Sequence, residues 1–354
     1  MSKPSEPGDD NDAHVVAQPH DALFRRTFSD PVHVAGELRA VLPPALVARV
    51  DFTTLEVLPS SFVDETLRAK ESDLLLSARF HQGHPALIYI LCEHQSRADP
   101  RMPLRLLGYL TRIWEKHVES HPEVGEPLPA IVPLVVHHDR RPWSAPTRLG
   151  ELFRLDPATH ALLAPYIPDF TFVLDDLAAI TPAELHARQT LSALAKLVLF
   201  ALQRARHAAR LAAELTAFAE TVDELLQTPR GLDDWKVVSY YILMVANEST
   251  AQLREALRDA KDPRAREVIM STAQRLFAEG RSEGLAEGRN EGLAEGRKVG
   301  LAEGRAAALG KLLSIKFGPL SAQTEALLYA STLAELERWT EQVLSATSLE
   351  DALR

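Results

Sequence analysis

Residues 72–95, SDLLLSARFHQGHPALIYILCEHQ, decide how this chain is read. Two apolar runs, 72–80 and 85–93, are joined by the polar connection HQGHP, which contains Gly83. Runs rich in Leu, Ile and Tyr around a short Gly-containing loop predict a β-hairpin. With Gly83 at its centre, Asp73 and Glu93 stand ten residues to either side. Equidistant residues of an antiparallel pair face one another and send their side chains to the same face. Gln95, two positions on, shares the face of Glu93, and His94 points the other way. Directly opposed carboxylates repel unless something positive stands between them. A hard divalent cation such as Mg²⁺ takes oxygen ligands from one or two carboxylates and keeps waters for a phosphate. The open end of the hairpin thus has the outline of a metal-dependent phosphodiesterase. The plainer reading is an ordinary solvated Asp at a strand start and Glu at a strand end.

Outward from the hairpin, helix and strand patterns alternate. Residues 20–50 are helical in pattern, with breakpoints at Pro31 and Pro43–Pro44. Strands are expected over FTTLEVL (52–58) and PAIVPLVVHH (129–138), the latter after a helix at about 102–119. This alternation indicates an α/β fold. Beyond about residue 177 the chain reads as helical throughout, including VVSYYILMVA (237–246). The expected organisation is a tail (1–18), an α/β core (19–176), a helical extension (177–276), a repeat (277–308) and a C-terminal helical module (309–354). Capping-box patterns mark that last module at Thr332/Glu335 and Thr347/Glu350.

Composition bounds the function. Hydrophobic residues make up 46% and charged residues 25% of the 354, as in soluble globular proteins. The longest apolar helical run, LSALAKLVLFAL (191–202), is too short for a bilayer and carries Lys196. No membrane partner is expected. The first residues, MSKPSEPGDDNDAHVVAQP, are polar and acidic without a signal-peptide core, which predicts a disordered tail and a cytoplasmic protein. A lone cysteine, Cys92, excludes a disulfide framework or a cysteine-based zinc site. The net charge of −10 argues against a nonspecific nucleic-acid coat protein. Yet Arg97, Arg101, Arg105, Arg140, Arg141 and Arg148 crowd the neighbourhood of the hairpin, so a local DNA contact stays open.

Residues 277–308 repeat with a period of eight: FAEGRSEG, LAEGRNEG, LAEGRKVG, LAEGRAAA. Glycine recurs at every fourth position from Gly280 to Gly304. Each interior Gly costs a helix about 1 kcal/mol against Ala, and the Glu residues stand four apart with like charge. Two readings follow. The segment is a flexible solvated linker, or it is a self-associating helix that makes a homodimer, with a stripe that winds in the right-handed sense.

The segments HDALFRRTFSDP (20–31), ESDLLLSARF (71–80), YILCEHQS (89–96) and MPLRLLGYLTRIW (102–114) follow one another in an order that resembles a known family. SDLLL and LCEHQ resemble the PD-(D/E)xK nucleases and, more narrowly, all four segments resemble the Rpn recombination-promoting nucleases, which are also described as transposase-like. The Glu-Gly-Arg repeat and the terminal helical module are similar to that family in organisation too. The resemblance implies a restriction-endonuclease-like core, a mixed sheet flanked by helices, and cleavage of DNA dependent on Mg²⁺ or another divalent cation. It implies that Asp73 and Glu93 are the metal-binding acids, that Gln95 holds the place of the motif Lys, and that Asp21 is the early acidic position. Gln95 departs from the Lys, since an amide hydrogen-bonds water but brings no charge; Arg105 and Lys70 are the candidates to supply it. Arg97, Arg101, Arg105, Arg140 and Arg141 are expected to contact the phosphate backbone. The alternative is a module that keeps the fold and binds DNA or another partner without turnover.

Other constellations carry less. Cys92 and His94 share a strand face, which suits a buried Cys beside a hydrogen-bonded His better than a nucleophile pair. His117 and His121 stand four apart on a helix with no third ligand evident, so a solvated helix is the better reading than zinc. HHDRRPW (137–143) is either a polar loop anchored by Trp143 or a loop that brings Arg140 or Arg141 to a phosphate.

Overall fold

A computed structural model of the chain describes residues 19–58, 74–81, 85–93, 98–122, 127–139, 141–204, 211–245 and 249–354. Of these, 85–87 and 89–93 are described through their backbone. The expected tail, 1–18, lies outside the described residues.

The first helices start where proline breaks the pattern. Helix α1 (Pro19–Phe28) ends before Asp30, whose side chain accepts from the backbone N–H of Val32 at 2.9 Å and caps α2 (Pro31–Val41). Proline at the first helical position loses no hydrogen bond and brings a φ already suited to the helix. Helix α3 (Pro44–Val47) starts the same way. Strands β1 (Val50–Val57), β2 (Leu74–Phe80), β3 (Pro85–Glu93), β4 (Ala130–His137) and β5 (Val173–Asp176) form one sheet in sequential order. β1, β2 and β3 pair antiparallel, and β3, β4 and β5 pair parallel. The crossover from β3 to β4 carries helix α4 (Met102–Ser120), as a parallel connection requires. The result is a mixed α/β sheet.

The hairpin forms, but in another register. Its ladder pairs Leu74 with Ile90 and Arg79 with Pro85, which centres it on position 82 rather than Gly83. The described ladder is therefore two residues away from the register that sets Asp73 directly across from Glu93. A five-residue loop has no need to place its glycine at the midpoint. A two-residue change leaves the faces of a strand as they were, because side chains alternate with period two.

Both faces of the sheet are covered, as parallel strands demand. Leu74, Leu76, Ala78, Leu134 and Val136 face a core that holds Phe24, Phe28, Val34 and Leu38 from α1 and α2. Leu75 and Val135 point the other way, onto Met102, Leu106 and Ile113 of α4. Side chains of this kind contribute about 1.5–3 kcal/mol each when fully buried.

Beyond the sheet come α5 (Pro157–Leu163), α6 (Pro182–His186), α7 (Ala193–Arg204), α8 (Leu211–Leu215), α9 (Ala219–Leu226), α10 (Gly231–Val245) and α11 (Thr250–Ala256). Helix α7 is buried at every position from Ala193 to Gln203 except Lys196, and belongs to the same core as the sheet. Gln203 Nε2 donates to the carbonyls of Leu177 and Ile180 at 2.6 and 2.7 Å, which ties α7 to the chain leaving β5. The residues expected as core and as helical extension thus share one hydrophobic interior.

The chain divides into two compact units between Ala273 and Gln274. A single helix, α12 (Arg264–Phe317), runs through that boundary and includes the whole repeat. In the second unit, Ala306, Leu309 and Leu313 of α12 pack with Leu328 of α13 (Ala322–Ala330), Leu336 and Trp339 of α14 (Leu333–Gln342), and Ala352 of α15 (Leu349–Ala352). The Thr332/Glu335 capping box forms. The Thr347/Glu350 box does not form: Ser348 instead caps α15 by accepting from the Asp351 N–H at 3.2 Å, and Asp351 accepts from the N–H of Thr347.

Candidate active site at the strand ends

Three parallel strands end side by side. The register pairs Glu93 of β3 with His137 of β4, and His137 with Asp176 of β5. Neighbouring strands lie about 4.8 Å apart, so these three backbones form a row about 10 Å long. In open α/β sheets, ligands bind beyond the carboxyl ends of the strands. Here that end carries an acid, an imidazole and a second acid.

Helix α1 brings its first turn to the same place. The His20 ring lies 5.5 Å from that of His138, the residue after β4, and its Nδ1 is hydrogen-bonded to the Tyr241 hydroxyl of α10. The next residue, Asp21, is fully buried. His137, His138 and Asp139 are buried as well. The first turn of α1, which carries Asp21, thus meets the chain just after β4 through the His20 and His138 rings.

The loop after β4 is pinned on the far side. The His137 Nε2 hydrogen-bonds the carbonyl of Arg141 at 3.0 Å. The backbone N–H of Trp143 donates to Asp176 at 2.7 Å, and its indole N–H donates to the carbonyl of Ala145 at 2.8 Å. The Trp143 ring stands edge-on to His137 and Phe172. Trp143 is the anchor expected of this loop, and Arg141 is exposed beside it.

The other expected residues divide plainly. Asp73, Gln95, Arg97, Arg140, Lys70 and His94 lie outside the described residues. Glu93 is placed by its backbone at the end of β3. Arg101 is exposed at the start of α4, its backbone N–H bonded to Asp99. Arg105 is half-buried, 3.4 Å from Asp99 and with its guanidinium 5.9 Å from the centre of the Tyr109 ring. His117 and His121 stack at 4.3 Å, and His121 Nδ1 hydrogen-bonds the carbonyl of His117. Among the described residues, no three His, Cys, Asp or Glu side chains gather as a metal cluster.

A buried charge cluster lies one strand position behind the row. Arg188 donates to both oxygens of Asp175 on β5, at 3.1 and 2.6 Å, and stands 3.8 Å from Glu37 of α2. Burial, reinforced by the Asp175 carboxylate, pushes the Glu37 carboxyl well above its ordinary range, and Arg188 opposes this only in part. One guanidinium faces two buried carboxylates here, so the Glu37 carboxyl holds its proton more tightly than usual. Nothing local in the sequence announces this triad, nor the His20–His138–Tyr241 group, because each is assembled from distant segments.

Comparison with known proteins supports a nuclease relationship. Residues 18–232 match the family model described as "Putative transposase, YhgA-like". The recombination-promoting nuclease RpnD of Escherichia coli O157:H7 is 29% identical over 266 residues, 74% of this chain and 95% of the relative. RpnA of Escherichia coli K12, also a recombination-promoting nuclease, is 36% identical over 120 residues, 34% of this chain and 40% of the relative. An inactive recombination-promoting nuclease-like protein of the same strain, RpnE, is 26% identical over 274 residues, 76% of this chain and 85% of the relative. No solved structure matches.

Proposed function

The chain belongs to the Rpn family of YhgA-like transposase relatives, and from that premise we propose that it is a DNA endonuclease with a restriction-endonuclease-like core, dependent on Mg²⁺ or another divalent cation. The observation that carries the reading is the strand end, where Glu93 closes β3 in register with His137 and Asp176 and where the first turn of α1, bearing buried Asp21, meets His138. Carboxylate oxygens are the ligands a hard cation takes, so the acids of this strand end suit such an ion. Asp73 and Glu93 hold the cation in this proposal, and Asp21 orients the site from α1. A bound divalent ion supplies two things: a lower pKa for a coordinated water and polarisation of the phosphate. Gln95 orients the attacking water through its amide. Arg101 and Arg141, both exposed, contact the DNA backbone without reading its sequence; Arg97 and Arg140 are assigned the same role.

The test is nicking of supercoiled plasmid with Mg²⁺ present or chelated. Cleavage that needs the cation and vanishes in Asp73→Ala supports the proposal; cleavage that survives Asp73→Ala rejects the site. The name of RpnE favours one second reading, a DNA-binding module without turnover. Retention of plasmid in a gel with no nicking at any Mg²⁺ concentration identifies that case.

A further inference from the structure

We propose that the repeat face of α12 is a self-association surface that takes a second copy of this chain, aligned in parallel. From Phe277 to Leu301 every residue of this helix is exposed. That includes Phe277 at 74%, Leu285 at 66%, Leu293 at 63% and Leu301 at 50%. Around each glycine from Gly280 to Gly304, a Cβ would meet nothing within 4 Å. Helices of soluble proteins bury their apolar row; this one leaves it bare.

The order of residues around the helix identifies the occupant. Positions four apart fall into rows along an α-helix, and the octad sorts its residues into four. One row alternates large apolar and basic residues: Phe277, Arg281, Leu285, Arg289, Leu293, Arg297 and Leu301. A second is small or polar from Ala278 to Ala302, with Lys298 in it; a third is acidic from Glu279 to Glu303 except for Val299; the fourth is glycine. At about 100° per residue, the glycine row lies between the acidic row and the apolar–basic row. No Arg of the repeat has a Glu three or four positions away, so the guanidinium charges are not satisfied by pairing along their own helix. Ion pairs do form at the two ends, Arg275 with Glu279 at 3.5 Å and Arg305 with Glu337 of α14.

A second copy in parallel complements this pattern along the repeat, interrupted on the acidic side at Val299. Two-fold pairing sets the right flank of one helix against the left flank of its partner. Each Leu then meets the partner's glycine row, where the backbone is open to close approach, and each Arg reaches across glycine to the partner's acidic row. An antiparallel copy sets Leu against Leu and Glu against Glu. Only another eight-residue repeat matches this spacing over its length. Self-association through a two-fold interface is also the commonest closed assembly.

The test uses the full chain in sedimentation velocity at micromolar concentration, beside the variant Gly288→Gln/Gly292→Gln/Gly296→Gln. Glutamine is a better helix former than glycine, so a structural role alone leaves helicity equal or higher and assembly unchanged. The expected result is a dimeric wild type and a monomeric variant whose circular dichroism shows no loss of helix. A monomeric wild type overturns the proposal, and so does a variant that stays dimeric. Orientation is read with a short bismaleimide on Cys92→Ser chains carrying Gly284→Cys or Gly300→Cys. Like-with-like cross-links at both positions are expected. Cross-links formed only when the two variants are mixed, or none at all, overturn the parallel arrangement.

Discussion

The strand ends and the repeat helix handle charge in opposite ways. At the strand ends, Asp21, His137, His138 and Asp139 are buried, and His20 of α1 meets His138 just after β4. Along the repeat, six Glu and five basic residues are set out by an eight-residue period, and those as far as Leu301 are all exposed. The first region concentrates polar groups where solvation is poor, so each is held by specific neighbours and is expensive to disturb. The second spreads them where water and salt screen them, so individual changes are cheap. Under the two proposals, the first region does chemistry and the second recognises a partner.

The most severe way to break that contrast is a change at the strand ends. Asp21→Asn keeps the size of a fully buried side chain and removes its charge. Metal-dependent nicking is expected to fall by about 10²-fold or more, the scale on which misplacing a reacting group acts, with unchanged far-ultraviolet circular dichroism. Glu287→Gln on the repeat is expected to leave turnover per site unchanged. Equal effects from the two substitutions dissolve the distinction and remove Asp21 from the site.

A middle-sized effect belongs to the buried triad. Glu37 holds its proton more tightly in the folded chain than at its ordinary value of 4.5, through burial first and the Asp175 charge second. A group with a raised folded pKa lends stability that is fully present below its unfolded pKa and is lost as the pH climbs through the folded one. Wild-type stability should therefore decline with rising pH from about 4.5 upward relative to Glu37→Gln, which cannot titrate. Urea unfolding of both proteins across that range measures the difference. Parallel pH profiles show that Glu37 is ionised in the folded protein and that Arg188 suffices for both acids.

How much of this was legible in the sequence follows the same division. The hairpin, four of the five strands and the proline-led helix starts are local patterns, and they form. The hairpin register is not local: with a five-residue loop, pairing is fixed by which residues pack below the sheet, and the ladder settled one position from the glycine. Strand β5 was missed because it has four residues and ends in Asp175 and Asp176, whose polarity hides a strand that is half interior. Helix α7 was legible as a helix but reads in sequence as part of an extension outside the core, whereas its apolar residues on all sides suit the central place it takes. Of the site, Glu93 was visible at the end of an apolar run. His20, His138 and Tyr241 were not, since tertiary packing alone joins them. For the repeat, the periodicity was plain and the choice between linker and helix was not, because local glycine cost and helical patterning point in opposite directions; in the structure it is helix.

The smallest expected effect is also the one whose sign sharpens the comparison. In a single helix, Glu283, Glu287 and Glu291 repel one another at i,i+4, by about 0.2–0.5 kcal/mol per pair. The variant Glu283→Gln/Glu287→Gln/Glu291→Gln removes that repulsion, as well as the contacts of Glu283 with Glu279 and of Glu291 with Glu295. In an isolated chain it therefore stabilises α12 by on the order of 1 kcal/mol. In the parallel pair the same three residues face the partner's Arg row, and their loss weakens association. Dimerisation makes the melting temperature depend on concentration, so the two contributions separate on dilution. At the lowest concentration that circular dichroism can follow, the variant should melt slightly above wild type. At tens of micromolar the order should reverse, because only wild type gains from pairing. If the variant melts higher at every concentration, the acidic row meets no basic row, and the repeat is a solitary helix whose charges serve solubility alone.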